Sequence, residues 1–100
     1  MQLDRPMIER GNVDLSEDVS VYFQRMLDTL ADSAPSDACV RGRVLGEGKG
    51  FAAQIDVAAT TLKVHAKEFS MNPIVAIDLA AGEVRDRILD WRHSKERLFI

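Results

Sequence analysis

Two segments of the chain repeat apolar residues every three or four positions, and three repeat them at every second position. The first helical stripe runs through Val19, Tyr22, Phe23, Met26, Leu27 and Leu30, one face of a helix of about four turns. Ser16 is its N-cap candidate, and Glu17 and Asp18 follow where the helix dipole favours acids. Ala34-Pro35 ends it, because the residue before proline avoids the helical region. The second stripe, Ile74, Ile77, Ala81, Val84, Ile88 and Trp91, follows Asn72-Pro73, a cap with proline at the first helical position. Gly82 interrupts it and suggests a close approach of helix to sheet.

Between the helices, period-two alternation predicts three strands. Val40, Gly42 and Val44 alternate with Arg41, Arg43 and Leu45. Phe51, Ala53, Ile55 and Val57 alternate with Ala52, Gln54 and Asp56. Leu62, Val64 and Ala66 alternate with Thr61, Lys63, His65 and Lys67. The turn between the first two is Glu47-Gly48-Lys49-Gly50, and Ala58-Ala59-Thr60 makes a weaker one. A short N-terminal strand within Gln2–Glu9 contains Pro6, which places it at a sheet edge. The order is β-α-β-β-β-α, an α+β two-layer sandwich with a four-stranded sheet and both helices on one face. A right-handed crossover sets the first strand parallel beside the second.

Matching the buried faces predicts a register. Val44 opposes Ala53, Val40 opposes Val57, and Ile55 opposes Val64. Arg41 then opposes Asp56, Asp56 opposes Lys63, and Gln54 opposes His65. The open face reads Arg41, Arg43, Gln54, Asp56, Lys63, His65 and Lys67. No aromatic stands among them, so a stacking platform for single-stranded RNA is not expected.

At 100 residues the chain has room for one core, read as a single domain over 1–95 with a short tail over 96–100. Catalytic scaffolds such as the TIM barrel need more than twice that length. No apolar run approaches a membrane span, and Met1-Gln2-Leu3-Asp4-Arg5 lacks the apolar stretch of a secretory signal. The lone Cys39 fits a reducing, cytoplasmic setting.

The net charge of −3 is unevenly spread. Residues 1–40 hold three basic and eight acidic side chains, whereas residues 41–67 hold five basic and two acidic. The last sixteen residues return a basic group: Arg85, Arg87, Arg92, Lys95 and Arg97. Two patches therefore compete as phosphate contacts, the sheet face through Arg41, Arg43, Lys63 and Lys67, and the final helix. Ordinary solubility and helix-dipole roles remain open for both. His65 and His93 have no ligand partner at helical spacing, so no metal site is expected. Gly46-Glu47-Gly48-Lys49-Gly50 lacks the Gly-Lys-Ser/Thr ending of a phosphate loop and opens onto a strand. No cofactor and no catalytic acid–base pair is read.

The element order and several segments together resemble the ribosome hibernation-promoting factor and ribosome-associated inhibitor family, also called sigma-54 modulation proteins. The residues that carry the likeness are Asn12-Val13-Asp14-Leu15-Ser16, then Tyr22, Leu27 and Leu30, then Glu47-Gly48-Lys49-Gly50-Phe51, then Ala76-Ile77-Asp78 with Arg92 and Lys95. The resemblance implies a non-catalytic, cytoplasmic factor of the short form, lacking the C-terminal dimerisation domain. It implies binding to rRNA of the small ribosomal subunit and inhibition of translation in stationary phase or stress. It also points to the final helix, through Arg85, Arg92 and Lys95, as the RNA-binding side. Glu83, Asp86 and Asp90 stand where the family usually has basic residues, as do Ser20, Met26 and Thr29 in the first helix. The alternative is a protein–protein adaptor on the same fold. In either case Leu98, Phe99 and Ile100 offer a weak homodimer contact.

Overall fold

The computed structural model describes residues 5–97, and for residues 95–97 the backbone alone. Its elements are β1 (Met7–Ile8), α1 (Glu17–Ser33), β2 (Cys39–Glu47), β3 (Gly50–Ala58), β4 (Lys63–Ser70) and α2 (Pro73–Arg97). The strands lie in the order β1-β2-β3-β4, with β1 parallel to β2 and the other pairs antiparallel. This is the expected architecture, with β1 reduced to a two-residue edge immediately after Pro6.

Both helices start where local chemistry sets them. Ser16 Oγ accepts from the Val19 backbone N–H, and Glu17 and Asp18 occupy the first turn of α1. Asn72 Oδ1 accepts from the Ile74 N–H at 2.8 Å, ahead of Pro73. The helices bury one stripe each: Phe23, Leu27 and Leu30 from α1, and Ala76, Ile77, Ala80, Ala81, Val84 and Ile88 from α2. Beneath them lie Val40, Val44, Ala53, Ile55, Val57, Val64 and Ala66, with Leu62 at the rim. Trp91 packs against this core, and its indole N–H donates to Thr61 Oγ1 at 3.0 Å, tying α2 to the β3–β4 loop.

The close approach of helix to sheet is at Gly42, not at Gly82. A Cβ on Gly42 would stand 2.5 Å from Phe23 Cζ and 3.1 Å from Leu27 Cδ1. At Gly82 the nearest atom to such a Cβ is Arg85 Nη2 at 3.8 Å. Gly82 therefore lies toward solvent, and α2 comes close to the sheet through Ala76, Ala80 and Ala81 instead.

The β2–β3 register is the expected one, with Val44 opposite Ala53, Val40 opposite Val57 and Arg41 opposite Asp56. Gly48, at φ 56°, begins its two-residue loop, where glycine is free of strain. The β3–β4 register differs from expectation by two residues. Ile55 faces Ala66 rather than Val64, Asp56 faces His65 rather than Lys63, and Gln54 faces Lys67 rather than His65. The expected pairing needs a two-residue loop at Ala59-Thr60, with positive φ that alanine and threonine resist. The chain instead closes a longer connection with Ala59 N–H bonded to Leu62 C=O at 2.8 Å. A shift of two preserves which side chains face inward.

Two stability outcomes follow from this packing. Ile77 is fully buried, so Ile77→Ala should lower stability by about 2–5 kcal/mol in denaturant unfolding. A curve matching wild type would place the core on another face of α2. Gly82→Ala should raise stability by up to about 1 kcal/mol, since helix propensity improves and space is available. A lowered melting temperature would contradict the open surroundings of Gly82.

Candidate functional site

The four sheet candidates share the open face, as alternation requires. Arg41 and Arg43 project from β2, and Lys63 and Lys67 from β4, with Gln54 and Asp56 of β3 between them. Two of these four cations are already answered by acids. Arg41 Nη1 lies 3.8 Å from Glu9 Oε2 and 3.8 Å from Met7 Sδ. That draws it to the β1 edge, where it lines a groove of about 530 Å³ with Arg5, Pro6, Met7, Ile8 and Gln24. His65 Nδ1 bonds the Asp56 carboxylate. Lys67 Nζ reaches Glu47 Oε2 at 2.9 Å, on a diagonal that crosses β3 at Ala52. Arg43 donates through Nη2 to the neutral Gln54 Oε1 at 2.9 Å, and its Nε is buried without a partner. Among the described residues, no carboxylate lies within ion-pair distance of Lys63. Asp56 is thus the partner of His65, and Lys63 sits apart from it, opposite Ala58.

One open-face residue escaped the sequence reading. β4 continues to Ser70, and Phe69 extends the outward series of Lys63, His65 and Lys67. The basic face therefore does contain an aromatic. Phe69 is 50% exposed and stands opposite Ala52, which in turn faces Leu45. A Cβ on Gly50 would meet its ring at 2.6 Å (Cζ) and 3.0 Å (Cε1), so the tip of the ring takes the space that the glycine leaves. The signal was the unbroken alternation past Lys67. Glu68 at the intervening inward position disguised it.

On α2 the cations divide between two flanks. Asp78, Arg85 and Arg92 recur every seven residues, two helical turns apart, and so share a flank. Tyr22 of α1 donates its phenolic O–H to Asp78 Oδ1, which marks that flank as the one toward α1. This hydrogen bond, then burial and the Asp78 charge, raises the Tyr22 pKa. Arg87 falls on the opposite flank, interleaved with Glu83 and Asp90. Arg85, Arg87 and Arg92 are exposed, and among the described residues no carboxylate is within ion-pair distance of them. Lys95 lies in the last turns of α2, and its side chain is outside the described residues, as are Leu98, Phe99 and Ile100. The structure brings Arg85 and Arg92 together about 10 Å apart along the axis and separates them from Arg87.

Among the described residues, no group of three His, Cys, Asp or Glu side chains is placed to hold a metal ion, and no helix is long and apolar enough to cross a membrane. Asp37 accepts from both the backbone N–H and the hydroxyl of Thr60, which holds its carboxyl below the usual range and anchors the β3–β4 loop. Glu68 behaves in the opposite way. Its hydrogen bond with Glu83 of α2, then desolvation and the Glu83 charge, raises its pKa.

No protein-family model matches the chain, and no curated protein matches it in sequence. Solved structures do match. The N-terminal domain of Thermus thermophilus Protein Y gives a TM-score of 0.68 at 18% identity, covering 87% of this chain and 96% of that one. A ribosomal subunit interface protein from Coxiella burnetii gives 0.72 at 12% identity, covering 87% of this chain and 98% of that one. The likeness is one of fold, and at that level the resemblance read from the residues holds.

The Glu68–Glu83 pair sets a pH dependence. A carboxyl whose folded pKa is raised contributes stability below its ordinary pKa and loses that contribution as pH rises through the raised value. Glu68→Gln should therefore melt higher than wild type at neutral pH, with the difference closing as pH falls below the ordinary glutamate range. A difference that persists unchanged in acid would show that the two carboxyls do not interact.

Proposed function

We propose that this protein is a non-catalytic, ribosome-associated factor. It binds rRNA of the small subunit through the α1-facing flank of α2 and restrains translation in starved or stationary cells. The observation that carries this reading is the fold shared, over 87% of the chain, with a ribosomal subunit interface protein. Charge pairing supports the choice of face. On the sheet, Arg41 and Lys67 are answered by Glu9 and Glu47 and Arg43 is engaged by Gln54, leaving Lys63 with no described acid in reach. Arg85 and Arg92, in contrast, both stand exposed with no described acid in reach. Lys95 follows three residues beyond Arg92 in the sequence. A ribosomal partner puts the work in the cytoplasm, and no cofactor is called for.

Affinity that rests on a few phosphate contacts from a chain of net charge −3 is salt-sensitive, because each contact releases counterions. Sedimentation with small ribosomal subunits across a salt series should show binding that falls with ionic strength. Arg85→Glu with Arg92→Glu should reduce it and flatten the salt slope by about 0.7–0.9 for each phosphate no longer neutralised. Arg43→Glu with Lys63→Glu should leave it nearly intact. Loss confined to the sheet-face pair would reverse the choice of face.

A second reading, a protein–protein adaptor, has its own observation. The outer face of α2 exposes Val75, Leu79 and Leu89 at 43–48%, an apolar series on the side away from the core. Wild-type protein that fails to sediment with ribosomal subunits at any ionic strength favours this reading.

A further inference from the structure

We infer that the open sheet face is a second, separate nucleic-acid site, at which a single-stranded RNA base stacks on Phe69 while Arg43 takes an adjoining phosphate. This does not rest on ribosome binding by α2, which lies on the other side of the sheet.

The site is built from the bare backbone of Gly50. Because position 50 has no Cβ, the Phe69 ring reaches over it, with its edge atoms 2.6 and 3.0 Å from where that Cβ would be. The tip of the ring fills the space over Gly50, and half the residue's surface stays open. Ala52, opposite Phe69, is fully buried on this same face, where the Lys67–Glu47 pair crosses it. Leu45 closes the far side. An exposed aromatic ring is a stacking partner for a planar base, and base–aromatic stacking is tolerant of sequence.

The surrounding charge selects the rest of the ligand. Arg43 and Lys67 are the next outward residues along β2 and β4, on either side of Gln54. By strand geometry Arg43 starts about 12 Å from Phe69, within reach of the phosphate next to a stacked base. Its guanidinium is only partly satisfied, with Nη2 on neutral Gln54 and a buried, unpartnered Nε. Glu47 already occupies Lys67, so few phosphates can be neutralised here. Stacking rather than charge then supplies most of the affinity. A duplex, whose bases are already stacked and paired, offers nothing to Phe69.

The test is binding of a fluorescein-labelled ten-nucleotide single-stranded RNA to the full chain, measured by anisotropy at low salt, with duplex RNA of the same length in parallel. Single-stranded RNA should bind in preference to duplex. Phe69→Leu keeps an apolar cover on Gly50 but removes the aromatic face, so it should weaken binding about tenfold while the melting temperature holds. Phe69→Trp should retain binding, with indole emission quenched on RNA addition. Arg43→Gln should weaken binding and reduce its salt dependence. Phe69→Leu should weaken binding by the same factor when Arg85→Glu and Arg92→Glu are also present, which separates this site from the α2 flank. Equal binding by Phe69→Leu and wild type overturns the inference. So does equal binding of duplex and single strand, or equally effective competition by poly-glutamate, which would mark an acceptor for any polyanion.

Discussion

Gly42 sets the distance between the two layers. With no side chain at the centre of β2, Phe23 of α1 presses its ring onto the strand backbone, where a Cβ would stand 2.5 Å from Cζ. Leu27, one turn along, shares the gap. α2 reaches a matching depth by a different device, a run of alanines at 76, 80 and 81. The two helices can therefore lie side by side on one sheet face, close enough for Tyr22 to bond Asp78. All large buried side chains among the described residues lie in the single layer between helices and sheet, and the other sheet face is left without a cover.

That asymmetry gives the molecule two surfaces of different chemistry. On the open sheet face Glu9, Asp56 and Glu47 each engage a basic partner, and Arg43 bonds neutral Gln54. Lys63 has no acid in reach among the described residues, and Phe69 makes one end apolar. The helical surface is acidic over most of α1, yet the α1-facing flank of α2 keeps a spaced pair of arginines. Phosphate binding responds to unpaired local charge more than to net charge. A chain of overall charge −3 can consequently offer a narrow electropositive strip without becoming a general nucleic-acid binder.

What the sequence made legible was local. Ser16 and Asn72-Pro73 begin helices by bonds within a turn, and three–four spacing marks the buried stripe without reference to any other element. The β2–β3 register is equally local, because Gly48 permits a tight two-residue loop. The β3–β4 register is not. Its loop is held by Asp37, twenty-three residues earlier in the chain than Thr60, and alternation alone cannot distinguish registers two residues apart. Phe69 was hidden for a related reason. An inward Glu68 reads as the end of a strand, because its neighbour Glu83 lies on α2 and is not visible from the strand's own sequence. The division of Arg85 and Arg92 from Arg87 follows from helical periodicity, but which flank meets α1 is a tertiary fact, supplied by Tyr22.

The central claim is that a two-layer domain of this fold meets the small ribosomal subunit with the α1-facing flank of α2. The most direct measurement is a cryo-electron microscopy reconstruction of purified small subunits saturated with the protein at low salt. The account predicts the domain bound to rRNA with the Arg85 and Arg92 guanidiniums in ionic contact with backbone phosphates and the Val75–Leu79 face turned away. A bound domain whose α2 flank faces solvent, or subunits that carry no additional density under saturating conditions, would contradict it.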